Sequence, residues 1–553
     1  MLRWLTNYRR EWLAGDLSAG VIVALMLLPQ GMAYAIVAGL PPVTGLYASI
    51  LPPIVYALFG SSMVQSVGPM AITSLMTGTA LAALTAPGSA LSVVLAGQMA
   101  LIAGATLFLS GVFRLGFLAG FLSRPVMSGF TTGAALVITG GQIEPLLGGP
   151  LVAIHPPSAI IGLSSLLALW LAKQFLVRGL RALGLSARLA DMLTKLAPVL
   201  VLVIATAVAA LGLAQARVRV VGDIPSGMPT MALTLSAEHW RPLLVPALLI
   251  AFMIFLSSQS AAQSLAQKRG ERIISNRELL GLGAANLASA LSGAFPVTGS
   301  ISRSAVNYAA GANTPVAGVI SACLIVLVLW VPTTWVSLLP LPALAATIIL
   351  AVLGMIDFTT LRDAWRYDRS DAGALLATIA GVLLLGVEEG VVLGVVLSLA
   401  TLIWRTSRPH IAVIGKIPGS EHFRNVERHH VETLPEVLML RIDADLFFGN
   451  VDAVTDHLEN LLKARAAEGL ATHHVVLVMS AVSLIDTTGL YALTEINRSL
   501  EAQRVKLHLT EVKGPVMDRL QRSELLSRQL SGQVFLSTAQ AFRSLGEGAS
   551  QEN

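Results

Sequence analysis

The stretch PVTGSISRSAVN, Pro296 to Asn307, decides how the rest of the chain is read. Proline, glycine and a serine-rich turn interrupt an apolar region, and an arginine, Arg303, follows at once. Inside a bilayer such a combination is costly unless it lines a cavity, because lipid satisfies neither an open backbone nor a guanidinium. The stretch therefore reads as the N-terminus of a broken helix aimed at an anion.

Composition supports a bilayer setting. The chain has 553 residues, 54% of them hydrophobic and 12% charged, with a mean hydropathy of +0.73. Soluble domains carry about 25% charged residues. The bias is uneven: residues 17–406 are nearly uncharged over long runs, whereas 407–553 have ordinary soluble composition. The reading divides the chain into an N-terminal lead-in (1–16), a membrane domain (17–406), a linker (407–436), an α/β domain (437–545) and a disordered tail (546–553). The first apolar run has no small-residue cleavage site and reads as a retained helix. The net charge of +5 is small for this length and gives no reason to expect nucleic-acid binding. A single cysteine, Cys323, rules out a disulfide framework or a thiolate metal site. Nothing in the sequence calls for a cofactor or a catalytic role.

A helix needs about 20 apolar residues to span the bilayer. By that measure the first half of the membrane domain holds seven segments, among them Leu17 to Ala38, Val43 to Phe59 and the interrupted SVGPMAITSLM, Ser66 to Met76. After a polar stretch, Ala214 to Arg241, seven more follow, from Pro242 to Gln267 through to Val387 to Arg405. Alternating fourteen segments from a cytoplasmic N-terminus puts the basic clusters on one side, as the positive-inside rule requires. Those clusters are Arg3/Arg9/Arg10, Arg178/Arg181/Arg188, Lys268 to Arg277, Arg362/Arg366/Arg369 and Arg405/Arg408. The third segment of each half is the anomalous one. Gly- and Pro-interrupted segments at matching positions of two halves point to a transporter's midplane site.

A small anion that leaves water needs fixed positive partners. Two half-helix N-termini and one guanidinium supply about +2 in elementary charges. Gly68, Pro69, Met70 and Ala71 form one such N-terminus, and Gly299, Ser300, Ser302 and Arg303 the other. On the first helix Gln30 and Tyr34 stand four residues apart and share a face, which serves either the anion or an interhelical hydrogen bond. On the eighth, Gln259 and Gln263 are likewise one turn apart. No carboxylate or histidine reads as mid-span, with Asp16, Glu144, Glu278, Asp357, Glu388 and Glu389 near segment ends, so the coupling mode stays open.

From Glu436 the pattern alternates strand and helix, as in a small α/β domain. Asp486-Thr487-Thr488-Gly489 lies between a strand and a helix. Helix capping by Asp486 explains it; the sharper alternative is a phosphorylatable or nucleotide-sensing tip at Thr488.

Over essentially its full length the chain resembles the SulP family of sulfate permeases and anion exchangers. The matching stretches are PQGMAYAIVAGLPPVTGLYAS, SVGPMAITSLM, NRELLGLGAANLASALSGAFPVTGSISRSAVNYAAGA and DTTGL. The resemblance implies a polytopic α-helical fold of fourteen spans in a seven-plus-seven inverted repeat, with core and gate domains like those of uracil permease. A cytoplasmic STAS domain follows. It also implies homodimers, elevator movement, and an anion held by Gln30, Tyr34, Gly68 to Ala71, Ser302 and Arg303; Gly299, Ser300 and Gln259 complete the expected site, and the inner membrane is the expected location. One departure is expected to matter: Gln259 stands where many relatives carry a glutamate tied to cation coupling. The expected substrate is sulfate or a similar inorganic anion, with bicarbonate and C4-dicarboxylates as alternatives. A reading from another class is a scaffold that binds a cytoplasmic partner, such as an acyl carrier protein, through the STAS domain.

Overall fold

The computed structural model describes residues 8–117, 123–186, 190, 193–194, 196–212, 218–222, 227, 238–330 and 337–549. Arg3, Arg188, most of the polar stretch 214–241 and the last four residues lie outside them. The chain divides into two compact units, residues 1–398 and 399–553.

The first unit is helical. Its elements are α1 (Arg10–Val37), α2 (Pro42–Tyr47), α3 (Leu51–Phe59), β1 (Val67–Gly68), α4 (Ala71–Ala82), α5 (Ala90–Val112), α6 (Arg124–Gly141), α7 (Ile143–Leu147) and α8 (Pro156–Leu171). A single π turn, Ala172–Leu176, links α8 to α9 (Val177–Ala182), and α10 (Ala197–Gly212) follows. The second half holds α11 (Trp240–Arg269), α12 (Ser275–Leu291), β2 (Thr298–Gly299), α13 (Ile301–Ala309), α14 (Val316–Trp330), α15 (Leu341–Leu353), α16 (Phe358–Tyr367), α17 (Arg369–Leu384) and α18 (Val387–Ser407). Among the described residues, six helical stretches are long and apolar enough to cross a membrane and four more are shorter apolar helices.

The segments expected from apolar runs recur as helices with shifted ends. The lead-in does not stop at residue 16, because α1 starts at Arg10 and carries Asp16 inside it. Asp16 is fully buried: its carboxylate accepts from the Asn313 amide (2.7 Å) and from the Thr314 hydroxyl (2.6 Å). The segment expected from Val43 to Phe59 is broken into α2 and α3. Close packing accounts for α2's position: a Cβ on Gly45 would overlap the Gly31 carbonyl of α1. Small residues let backbones approach where no hydrophobic force separates protein from lipid tails. The same device joins α5 to α12, where a Cβ on Gly104 would lie 2.7 Å from the Leu287 amide nitrogen.

The second unit is built on one six-stranded sheet in the order β4-β3-β5-β6-β7-β8. The strands are β3 (Ile411–Lys416), β4 (Phe423–Asn425), β5 (Val437–Ile442), β6 (His474–Val478), β7 (Lys506–Thr510) and β8 (Val534–Phe535). Strands β5 to β8 run parallel, and β3 is antiparallel to both neighbours. Helices α19 (Val451–Ala467), α20 (Thr487–Ala502), α21 (Gly514–Gln521) and α22 (Thr538–Ala549) complete it. Val475 and Leu477 point into one apolar cluster and Val476 and Val478 into another. Such a continuous apolar run is what a strand buried on both faces requires. Two expected boundaries change here. The stretch 407–436 is no linker, since it contributes β3 and β4 to the sheet. The tail expected from 546 is helical as far as Ala549.

Candidate anion site

Two short strands and two short helices make the site. Val67 pairs with Gly299 and Gly68 with Thr298 in a two-residue antiparallel ladder. The chain leaves the ladder by Pro69 and Met70 into α4, and by Ser300 into α13. Both helices start at this crossing, so their unpaired amides and the positive ends of their dipoles meet there.

Broken backbone in a membrane interior must find partners inside the protein. The Asn286 side chain of α12 holds Val297 twice, donating to its carbonyl (3.0 Å) and accepting from its amide (2.9 Å). The Ser289 hydroxyl donates to the Phe295 carbonyl at 2.6 Å, and Thr298 donates to Ile254 of α11 at 3.1 Å. Across the crossing, the Ser300 amide donates to the Ser66 carbonyl (3.1 Å), and the Ser66 amide to the Ser304 hydroxyl (2.8 Å). Each half is thus fastened by the other.

Arg303 is 1% exposed, among the largest fully buried side chains. Its Nε donates to the Ser66 hydroxyl (3.2 Å) and its Nη1 to the Pro69 carbonyl (2.9 Å). Among the described residues its Nη2 has no hydrogen-bond partner, and no carboxylate bonds to the group. A Cβ on Gly68 would sit 3.3 Å from that nitrogen. A buried guanidinium with a free donor is a strong anchor for an oxyanion, because charge-assisted hydrogen bonds are about twice as strong as neutral ones.

The structure places the remaining expected residues as follows. Tyr34 is buried and packs in one apolar cluster with Ala71 at the start of α4. Gln30 is half-buried. Neither side chain makes a hydrogen bond to the described residues, which leaves the interhelical alternative without a bond to rest on. Ser300 caps α13, its hydroxyl accepting from the Arg303 amide, and lies 3.2 Å from the Ser302 hydroxyl. Ser302 is exposed. Gly68, Pro69 and Ala71 are buried and Met70 is half-buried.

Gln259, also expected among the residues that hold the anion, donates from its amide nitrogen to the Ser275 hydroxyl at the start of α12 (2.7 Å), and its carbonyl oxygen is buried with no hydrogen bond among the described residues. Ser257 and Ser258 are the α11 side chains that reach the site. Ser257 lies 3.6 Å from the Met70 sulfur, and Ser258 holds the Gln65 amide beside Gly299. Spacing along a helix pairs residues one turn apart, but it does not say which way the pair points.

Behind the ladder stands a carboxylate whose place near a segment end gives it no evident role in the sequence. Glu278 of α12 is fully buried. It accepts from the Tyr56 hydroxyl (2.7 Å), the Ser61 hydroxyl (2.6 Å) and the amides of Ser61 (2.8 Å) and Ser62 (3.1 Å). Tyr56 in turn lies 3.0 Å from the Gln65 side chain. Ser275 and Glu278 have the S-x-x-E spacing of a capping box, yet Ser275 caps nothing here and the glutamate holds the turn before β1. The signal was present but pointed to the wrong job.

In the second unit, Asp486 caps α20, accepting from the Gly489 amide at 2.7 Å and from Phe448 at 3.0 Å. Those backbone donors, Gly489 first, hold its carboxyl below the usual range. Thr488, in the first turn of α20, is exposed.

Fold and site together define a membrane protein with a buried, cationic crossing and a separate α/β unit. Residues 13–378 match the Sulfate permease family, and residues 429–541 match the STAS domain. The chain is 35% identical to Sulfate transporter 4.1, chloroplastic, of Arabidopsis thaliana, over 95% of this chain and 79% of that one. It is 34% identical to a probable sulfate transporter of Mycobacterium tuberculosis, over 97% and 96% of the two chains. In structure it is similar to murine Solute Carrier 26 family member A9, described as an anion transporter in the inward-facing state. That match has a TM-score of 0.86 at 21% identity and covers 100% of this chain and 94% of that one. The transmembrane domain of the cyanobacterial bicarbonate transporter BicA matches with a TM-score of 0.60 at 21% identity, over 70% and 98%. The chain belongs to the sulfate permease family and carries a C-terminal STAS domain; the family is one of transporters, not enzymes.

Proposed function

We propose that this protein is a secondary transporter of sulfate or a similar inorganic anion, which binds between the N-termini of α4 and α13. The observation that carries the reading is the buried Arg303 guanidinium, which among the described residues has no carboxylate partner and one unpartnered nitrogen at the point where both half-helices begin. Gly68 to Ala71 and Gly299 to Ser300 line the anion with backbone. Gln30 and Tyr34 approach from α1, and Ser302 offers a hydroxyl at the rim. Transport proceeds by elevator movement of a core against a gate within a seven-plus-seven inverted repeat of fourteen spans. The unit of assembly is a homodimer in the inner membrane with both termini cytoplasmic. The names of the relatives support sulfate first and bicarbonate second; C4-dicarboxylates are the next class to compete.

Among the described residues no carboxylate bonds to the crossing, and Ser257 and Ser258 occupy the α11 face there. This favours exchange or uncoupled movement over cation symport. Thr488 is the position where phosphorylation would act on the STAS unit.

The test is uptake of radiolabelled sulfate into proteoliposomes, with bicarbonate, fumarate and chloride as competitors and with proton and sodium gradients imposed in turn. Sulfate uptake that chloride barely inhibits and neither gradient drives is the expected result. If sulfate neither enters nor competes, the substrate is another anion; if a sodium or proton gradient drives uptake, the coupling assignment fails.

A further inference from the structure

Helix α16 does not lie in the anion site, and its surface is unusual. Phe358 is 72% exposed and Trp365 58% exposed, while Ala364 of the same helix is buried. Phe358, Leu361 and Trp365, at spacings of three and four, form one stripe, and Arg362 and Arg366, one turn apart, form the stripe beside it. Together with Leu376 of α17 these side chains line an open groove of about 440 Å³. Neither arginine makes a hydrogen bond or ion pair among the described residues. Of the acids nearby in sequence, Asp357 caps α16, its carboxylate accepting from Thr359 and Thr360, and Asp363 is exposed and bonds to neither arginine.

An aromatic stripe flanked by arginines suits the boundary between acyl chains and headgroups. Two free guanidiniums one turn apart match a phosphodiester oxygen for oxygen. The apolar wall would take the first methylenes of a chain whose phosphate is fixed at the rim. We propose that this groove is a binding site for an anionic phospholipid. Its phosphate is held by Arg362 and Arg366, and an acyl chain lies over Phe358, Leu361, Trp365 and Leu376. Charge complementarity picks this occupant. A zwitterionic lipid would bring a third cation to two that are already unpaired, whereas an anionic one brings negative charge and no cation.

The full-length protein in nanodiscs tests it, with brominated phosphatidylglycerol and brominated phosphatidylcholine as quenchers of tryptophan fluorescence. The Trp365→Phe protein provides the subtraction that isolates Trp365. Phosphatidylglycerol should quench Trp365 well beyond phosphatidylcholine, and Arg362→Gln/Arg366→Gln should weaken that excess at least tenfold. Soluble glycerol phosphate should not displace the lipid. Equal quenching by both lipids, an unchanged double variant, or full displacement by glycerol phosphate would each overturn the proposal. Should the double variant fail to assemble, a salt titration of the wild-type protein replaces it. The excess quenching must then fall as ionic strength rises, and an excess that survives high salt overturns the site.

Discussion

The two half-sites have nearly the same backbone and quite different side chains. Each consists of two ladder residues, a turn and a short helix that starts at the crossing. The first, around Gly68, has no side-chain cap, and Met70 stands where a capping oxygen would be. The second, around Gly299, is capped by Ser300 and carries Arg303. The contrast shows how one charge can serve both halves. Arg303 leaves the second half and donates to Ser66 and Pro69 of the first. The first half supplies bare amides and space, the second supplies charge and the cap.

That asymmetry can be broken at its strongest point first. Arg303→Ala should reduce uptake to background in proteoliposomes while the protein still elutes as one species; uptake near the wild-type rate would remove the charge from the site. Arg303→Lys keeps the charge but loses the fork that reaches Ser66 and Pro69 together, so a small residual rate is expected.

The two glycines sharpen the comparison next. A Cβ on Gly299 would overlap the Gln65 amide, whereas one on Gly68 would meet the Arg303 guanidinium at 3.3 Å. Overpacking of a tight interior costs about 1–3 kcal/mol. Gly299→Ala should therefore lower the melting temperature clearly, and Gly68→Ala should lower transport with little thermal effect. The reverse order would mean that the first half is the tighter one.

Glu278→Gln tests whether the first half depends on support from α12. The charged acceptor of Ser61, Ser62 and Tyr56 becomes a neutral one. Hydrogen bonds to charged groups contribute about 1.5–3 kcal/mol, against about 1 for neutral ones. A loss of about 1–2 kcal/mol in stability is expected, read by chemical denaturation in detergent, together with slower uptake. An unchanged denaturation curve would show that the turn before β1 stands without it. The smallest effect is expected from Ser300→Ala, which loses a helix cap of about 1 kcal/mol and makes the second half resemble the first. A transport rate within about twofold of wild type is the expected reading; a collapse would make the cap part of the anion's coordination.

Much of the helical layout was legible because bilayer thickness sets helix length. The run expected from Pro242 to Gln267, for instance, is α11, Trp240–Arg269. The broken stretches were legible because glycine, proline and arginine together make no sense against lipid. What stayed hidden were the side chains that satisfy those breaks. Gln65 reaches Ser258 and Glu278 reaches Ser61, partners about two hundred residues away that no periodicity connects. The bond from Gln259 to Ser275 was hidden for a related reason, since local spacing fixes neighbours on one helix and not partners on the next. Strand β4 was hidden because a three-residue edge strand, Phe423–Asn425, has no apolar run to announce it; β3 has one, Ile411 to Ile414, but it follows the last apolar helix so closely that it passes for a connection.

The two-residue ladder has one more consequence, for how such a protein can change over generations. Adding or deleting a single residue in either turn would shift Val67 and Gly68 by one place against Thr298 and Gly299. The pleat would then turn each side chain to the opposite face, and the Arg303 fork would lose Pro69. Substitutions can be tried here one at a time, but length cannot. A change of length in one turn would have to arrive with its counterpart in the other, so the two stretches are tied in inheritance although more than two hundred residues separate them.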